Sequence, residues 1–460
     1  MTEPADMDIA AAAKRLAEGE LTAVELLESC LDRIVRVDPQ LGAIVTLDED
    51  RARADARASD DRRLAGQTRG RLDGIPVGIK DIIADATLPM RAQSRTALDD
   101  WDGVGRDAAS TGALKAAGAV VIATLATMEF AIGMPEATGP FAVPVNPWNP
   151  ERWTGGSSSG SAAAVSAGMV LGALGTDTGG SVRAPAAFTG TTALKPTRDL
   201  VDTAGVFPLS FSLDHVGPMA RTAEDCAIML EALTGERFDL LRGDLRGVRI
   251  AADSLDRYAE RSDPATRERF SDALRTLSDA GAEVITVHLP LYDELSAAAN
   301  IIQLSEALSV HRHRLDRSWN DLSPSARIVF AAADSISASD YVQAQRVRTM
   351  AAKRYDGVFS EYDLVVTPTS HLTAPRLSDL DPLRPLSPIT SMHTAMWSPL
   401  GVPVAAVPMG FGDDQLPLSL AIAGGSWRDR LVLDAGHALQ LRTPHHLARP
   451  TLPFAEGITS

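Results

Sequence analysis

Residues 155–197 read GGSSSGSAAAVSAGMVLGALGTDTGGSVRAPAAFTGTTALKPT, with glycines and serines in two clusters around a small-residue, apolar stretch. A flexible linker carries no side chains that demand burial, whereas Val165, Met169, Leu171, Leu174, Val182 and Phe188 do. The glycines therefore have a positional task. Gly179, Gly180 and Ser181 suit a tight backbone passage that turns consecutive N–H groups toward one point, ahead of a helix starting near Arg183. Such a nest can hold the negative oxygen that develops when a hydroxyl attacks a carbonyl.

A serine hydroxyl is a weak nucleophile near neutral pH and needs a base within hydrogen-bond reach. Gly156-Ser157-Ser158-Ser159-Gly160 satisfies the G-x-S-x-G elbow, which would make Ser158 the nucleophile. That elbow requires a strand immediately before it, and the preceding NPWNPERWTG, with Pro147 and Pro150, reads as a loop. Ser158 is set aside on that ground.

The elements around the tract alternate between strand and helix patterns, which predicts an α/β protein. Thr22 to Glu25 and Thr222 to Asp225 form capping boxes, opening helices through about Val37 and Leu233. Glu49 to Arg63 reads as a solvated helix face. Apolar runs at 74–83, 119–125, 248–252, 284–287, 363–369, 402–409 and 417–424 read as strands, the first carrying Lys80 near its end. Residues of about 235–360 are richer in charge and helical pattern and suggest a helix-rich insertion or lobe beside the core of a single domain spanning 1–460. The proline-rich stretch 382–388 is the most linker-like.

The bulk properties suit a soluble enzyme. The chain has 460 residues, 45% of them hydrophobic, and 60 acidic against 44 basic residues give a net charge of −16. That balance disfavours nucleic acid and anionic membrane as partners and leaves neutral or cationic small molecules. Cys30 and Cys226 lie in apolar-periodic segments and read as buried free thiols. The N-terminus MTEPADMD lacks an apolar targeting core, and no run of about 18 apolar residues occurs, so the expected location is the cytoplasm. His371, His393, His445 and His446 have no metal-ligand spacing, and no nucleotide-binding fingerprint follows a strand; no metal and no cofactor are expected.

The 155–197 tract, the segment GIPVGIKD, the segment SFSLDHVGPMARTAEDCAIML at 210–230 and GVPVAAVPMGFGDDQLPLSLAIAG together resemble the amidase signature family of serine hydrolases over nearly the whole chain. The resemblance implies a large mixed central sheet covered by helices on both faces, and often a homodimer. It implies Ser181 as nucleophile, Ser157 as a bridging serine after a cis peptide bond, and Lys80 as base, 24 and 77 residues apart. It assigns the oxyanion hole to backbone N–H groups around Thr178, Gly179, Gly180 and Ser181.

A lysine base must be uncharged. Lowering its pKa by roughly 3 units to reach neutrality costs about 4 kcal/mol. Burial supplies such a shift, and Ile75, Val77, Ile79, Ile82 and Ile83 surround Lys80 with apolar bulk in sequence. Asp177 and Arg183 read as a supporting ion pair, Ser158 as a hydrogen-bonding partner near the lysine, and Ser159 as a cap for a helix through 162–167. Met128, Phe130, Met134, Met396 and Trp397 are candidates for the substrate pocket.

Two departures from the family pattern bear on substrate. Ala123-Thr-Leu-Ala126 stands where relatives often read GKTN, and RDLVDTAG follows KPT in place of the arginine- and tyrosine-containing stretch of glutamine-hydrolysing tRNA amidotransferase subunits. Both favour a neutral, rather apolar amide, and the same attack suits aryl or alkyl carbamates. The alternatives are the glutamine-hydrolysing subunit of an amidotransferase complex or a non-catalytic amidase-like partner subunit.

Overall fold

The structure, a computed structural model, describes residues 3–451 apart from 97, 99–100, 136–140, 239–242, 259, 382–383 and 385–390. The linker-like stretch 382–388 therefore lies outside the described residues except for Arg384. Val145–Asn146 pairs with Asn149–Trp153 in a separate two-stranded sheet, so the segment read as a loop before Gly156 carries a short strand. Eleven further strands form one mixed sheet. Their order across it is Ile44–Leu47, Val120–Leu125, Pro76–Lys80, Gly172–Asp177, His215–Ala220, Thr192–Lys195, Val404–Phe411, Pro417–Gly424, Leu364–Pro368, Arg249–Asp253 and Glu283–Val287. The central strands are buried along their length, as expected of strands covered on both faces.

Local sequence signals explain several boundaries. Both capping boxes form: Thr22 opens helix Ala23–Leu41 and Thr222 opens Ala223–Thr234. The charged run 49–63 becomes helix Glu49–Leu64, where only Ala52, Ala56 and Ser59 are buried. The run 74–83 contributes a shorter strand, Pro76–Lys80, because the backbone turns after the lysine, with the Ile82 and Ile83 amides both bonded to the Lys80 carbonyl. Cys30 and Cys226 are buried and free. Among the described residues no helix is long and apolar enough to cross a membrane.

Two features of this architecture position the site. Pro76–Lys80 and Gly172–Asp177 are adjacent and parallel, paired Val77 with Gly172 and Ile79 with Leu174, so both end at the same edge of the sheet. Clefts outside the carboxyl ends of parallel strands are where such sheets hold ligands. The long helices Tyr292–Ser318 and Ala338–Glu361 pack against each other, and the first brings Asn300 and Gln303 over that edge. Strands 249–253 and 283–287 from the same part of the chain extend the sheet at its far side.

Candidate active site

Lys80 is the last residue of its strand and is fully buried. Its Nζ lies 2.7 Å from Ser157 Oγ and 2.8 Å from Thr176 Oγ1. A neutral amine can accept the Ser157 O–H through its lone pair while donating an N–H to Thr176, so Thr176 fixes the direction of the lone pair. Burial pushes the Lys80 ammonium down from 10.5 to about 7, against the opposing pull of the Asp214 and Asp177 charges. Lys80 can thus exchange a proton near neutrality.

Ser157 follows a cis peptide bond from Gly156, as the resemblance implies. Its carbonyl accepts from the Met128 amide at 3.3 Å, and the Ser158 amide donates to the Ser181 carbonyl at 3.1 Å, which ties the two serine segments together. A Cβ on Gly156 would come within 2.1 Å of Met128 Cε, so a larger residue there would displace the end of the Met128 side chain. Ser158 Oγ donates to the Thr176 carbonyl at 3.2 Å and accepts from the Thr176 amide at 3.3 Å. Ser158 therefore supports the lysine's second partner. Ser159 is the first helical residue of Ser159–Ser166 rather than its cap. Ser158 holds the cap position and makes no capping bond, because its hydroxyl is committed to Thr176.

The loop before helix Arg183–Thr189 is organised by a buried ion pair. Asp177 meets Arg183 at 2.7 and 2.8 Å, and both side chains are wholly buried. Burial alone would raise the Asp177 pKa, but the Arg183 charge and hydrogen bonds outweigh it and hold the carboxylate well below its usual range. Asp177 also accepts the Gly180 amide at 2.9 Å and the Val182 amide at 3.2 Å. The Gly180 N–H is consequently occupied. That narrows the expected oxyanion set: the Gly179 and Ser181 N–H groups have no protein acceptor among the described residues and are free for an anionic oxygen. The Thr178 N–H likewise has no acceptor among the described residues, and its hydroxyl donates to Asp214 at 2.6 Å. Asp214 is itself raised to about 6 by burial, against the hydrogen bonds from Thr178, Ser210 and Leu209. Gly180 has φ +135°, and a Cβ there would lie 2.2 Å from Thr394 Oγ1, which donates to the Gly179 carbonyl at 2.8 Å.

A cavity of about 80 Å³ opens over Ser157, Gly179, Gly180 and Ser181. An adjoining hollow of about 230 Å³ shares Met128, Met134 and Trp153 with it. Met128 and Met134 line both hollows. Phe130 does not line the cavity: with Phe130 at φ 49° and Ala131 at φ 62°, the chain sends the ring into a cluster with Phe207 and His311, and Ala131 and Ile132 face the cavity instead. Met396 and Trp397 are core residues, fully buried, the tryptophan packing against Tyr355, and they form no part of the pocket wall. Sequence reading missed Thr176, Asp214, Thr394, Asn300 and Gln303. The Thr176 contact rests on the register between strands Pro76–Lys80 and Gly172–Asp177, with the two partners 96 residues apart in the chain.

This assembly has the parts of a carbonyl-attacking hydrolase: a hydroxyl in a cavity, a hydroxyl-to-amine path and free N–H groups beside it. The amidase family model matches residues 25–433. A glutamyl-tRNA(Gln) amidotransferase subunit from Chloroflexus aggregans is 35% identical, covering 99% of this chain and 100% of that one. The crystal structure of an amidase superimposes with a TM-score of 0.86 at 31% identity, covering 95% of this chain and 100% of the other. The peptide amidase of Stenotrophomonas maltophilia gives 0.80 at 29%, covering 97% and 98%. The chain therefore belongs to the amidase family of amide-cleaving hydrolases.

Proposed function

We propose that this protein hydrolyses a neutral amide with a largely apolar acyl part, through an ester on Ser181. Ser181 Oγ attacks the carbonyl carbon as its proton passes to Ser157, and Ser157 gives its own proton to the neutral Lys80. The carbonyl oxygen becomes an anion held by the Gly179 and Ser181 N–H groups. Collapse breaks the C–N bond, and the proton returns from Lys80 through Ser157 to the departing amine. Water then attacks the ester by the same relay, releasing the acid and restoring Ser181.

The observation that carries the substrate class is the wall of the catalytic cavity. Among the described residues it holds no charged side chain; its polar groups are hydroxyls and two carboxamides, and the rest is aliphatic, thioether or indole. Glutamine brings an ammonium and a carboxylate, for which the wall around Ser181 offers no opposite charge, and Arg95, Glu129, Asp321 and Arg327 line only the adjoining hollow. The same attack on a carbamate carbonyl would expel an alkoxide in place of an amine. The net charge of −16 supports a protein that does not bind nucleic acid or anionic membrane, and light scattering tests the homodimer that family likeness suggests.

A second reading is the glutamine-hydrolysing subunit of an amidotransferase complex, favoured by the names of the curated relatives. The purified chain, assayed by mass spectrometry against aryl amides, aliphatic primary amides, aryl carbamates, ureas and glutamine, separates the two. Turnover of neutral amides with glutamine untouched is the expected result. Glutamine hydrolysis without neutral-amide turnover, or subunits co-purifying with the chain, would replace this reading with the second.

A further inference from the structure

Asn300 and Gln303 sit three residues apart on helix Tyr292–Ser318, hence on one face, and both line the cavity that contains Ser181. Neither side chain makes a hydrogen bond among the described residues, although both are half-buried. Gln303 Oε1 hangs over the bare face of Gly179, 2.9 Å from where a Cβ would lie, beside the loop whose N–H groups are free. Elsewhere around this loop polar groups are paired: Thr178 with Asp214, Thr394 with the Gly179 carbonyl, Arg183 with Asp177 and Ser398. Around them the wall is apolar, with Leu304, Val329 and Met392.

We infer that Asn300 and Gln303 are specificity-determining residues that grip a second neutral carboxamide-type group of the substrate, so that the preferred substrate carries two amide-like groups: the one cleaved at Ser181 and one held by the helix. This rests on the neutral-amide reading above. A carboxamide offers both donors and an acceptor, and each complements the same set on another carboxamide without any charge. A substrate with only hydrocarbon at that position would leave both side chains desolvated and unpaired. A second amide entering a cavity lacking those partners would instead lose its hydrogen bonds to water. The sign of the preference therefore distinguishes the two cases.

The test uses succinamide, glutaramide and adipamide, each against the monoamide in which the far CONH2 is replaced by an isosteric isopropyl group. The readout is the ratio of kcat/KM within each pair, after allowance for the twofold statistical advantage of a symmetric diamide. The wild-type chain should favour at least one diamide by about tenfold, the worth of one to two neutral hydrogen bonds. In Gln303→Leu and Asn300→Leu that ratio should fall to unity or invert, and Gln303→Glu, which keeps shape and loses the donor, should also lower it. Cleavage of both members with the isopropyl compound equal or preferred would overturn this inference alone. Failure of the wild-type chain to cleave any member of any pair would overturn the neutral-amide reading and this inference with it. Retention of the diamide preference in both leucine variants would show that other groups hold the second amide and would equally overturn the assignment.

Discussion

Replacing Lys80 with methionine should abolish turnover and change the pH dependence of stability in a way that reports the lysine's charge directly. Burial lowers the Lys80 pKa from 10.5 to about 7. Between those values the unfolded chain holds a proton that the folded chain has released, so the wild-type fold loses stability as pH falls through that window and the loss levels off below about 7. At about 1.36 kcal/mol per pH unit the full effect approaches about 5 kcal/mol, of which about 4 is reached at pH 7. Methionine has comparable length and no charge, so it escapes this effect. It also leaves Ser157 and Thr176 without their partner, a penalty of about 1–3 kcal/mol for each buried hydroxyl that does not vary with pH. The sign of the gap at any one pH is thus set by two opposing terms, but its slope is set by the lysine alone. Guanidinium unfolding of both proteins at pH 7, 8, 9 and 10 should show the variant gaining about 3 kcal/mol relative to wild type between pH 10 and 7. Ser181→Ala, as a control, should keep a gap that is flat with pH. A flat gap for Lys80→Met would mean that the lysine keeps its proton in the fold, and the relay would be refuted.

Three further outcomes follow from the same geometry. Asp214→Asn removes a negative charge that favours the Lys80 ammonium, so the acid limb of the kcat/KM profile should move from near pH 7 to lower pH; an upward or absent shift speaks against the coupling. Gly180→Ala places a Cβ 2.2 Å from Thr394 Oγ1 at a φ of +135°, and the displaced nucleophile loop should lose about 100-fold or more in kcat, measured at saturating substrate. Arg183→Met leaves Asp177 buried and unpaired, which should cost about 3–5 kcal/mol and lower Tm by about 3–5 °C for a chain of this length; a calorimetric shift under 1 °C would show that the pair contributes little.

How far the chain could be read without coordinates depended on whether the controlling interaction was local. Thr22 with Glu25 and Thr222 with Asp225 are three residues apart, so both helix starts were legible, as was the strand Pro417–Gly424 between its bounding proline and glycine. The order of the sheet was not. Val404–Phe411 pairs with its hairpin partner on one side and with Thr192–Lys195 on the other, a contact between segments some two hundred residues apart. The apolar neighbours of Lys80 foretold its burial, and the lysine is wholly enclosed. Its second partner Thr176, 96 residues away, depends on the register of two parallel strands that no spacing reveals. Met396 and Trp397 fill the core and not the pocket wall, a choice that apolar bulk in sequence does not reveal, and nothing in a helical pattern marks Asn300 and Gln303 as the polar face that a distant strand end will meet.

The proton path is probed most directly by fluorophosphonate labelling with peptide mapping, followed across pH. The adduct should form on Ser181, at a rate that falls below about pH 7 as Lys80 takes up its proton, and both Lys80→Met and Ser157→Ala should label far more slowly while Ser181→Ala does not label at all. An adduct on Ser157 or Ser158, or labelling of Lys80→Met at the wild-type rate, would contradict the account.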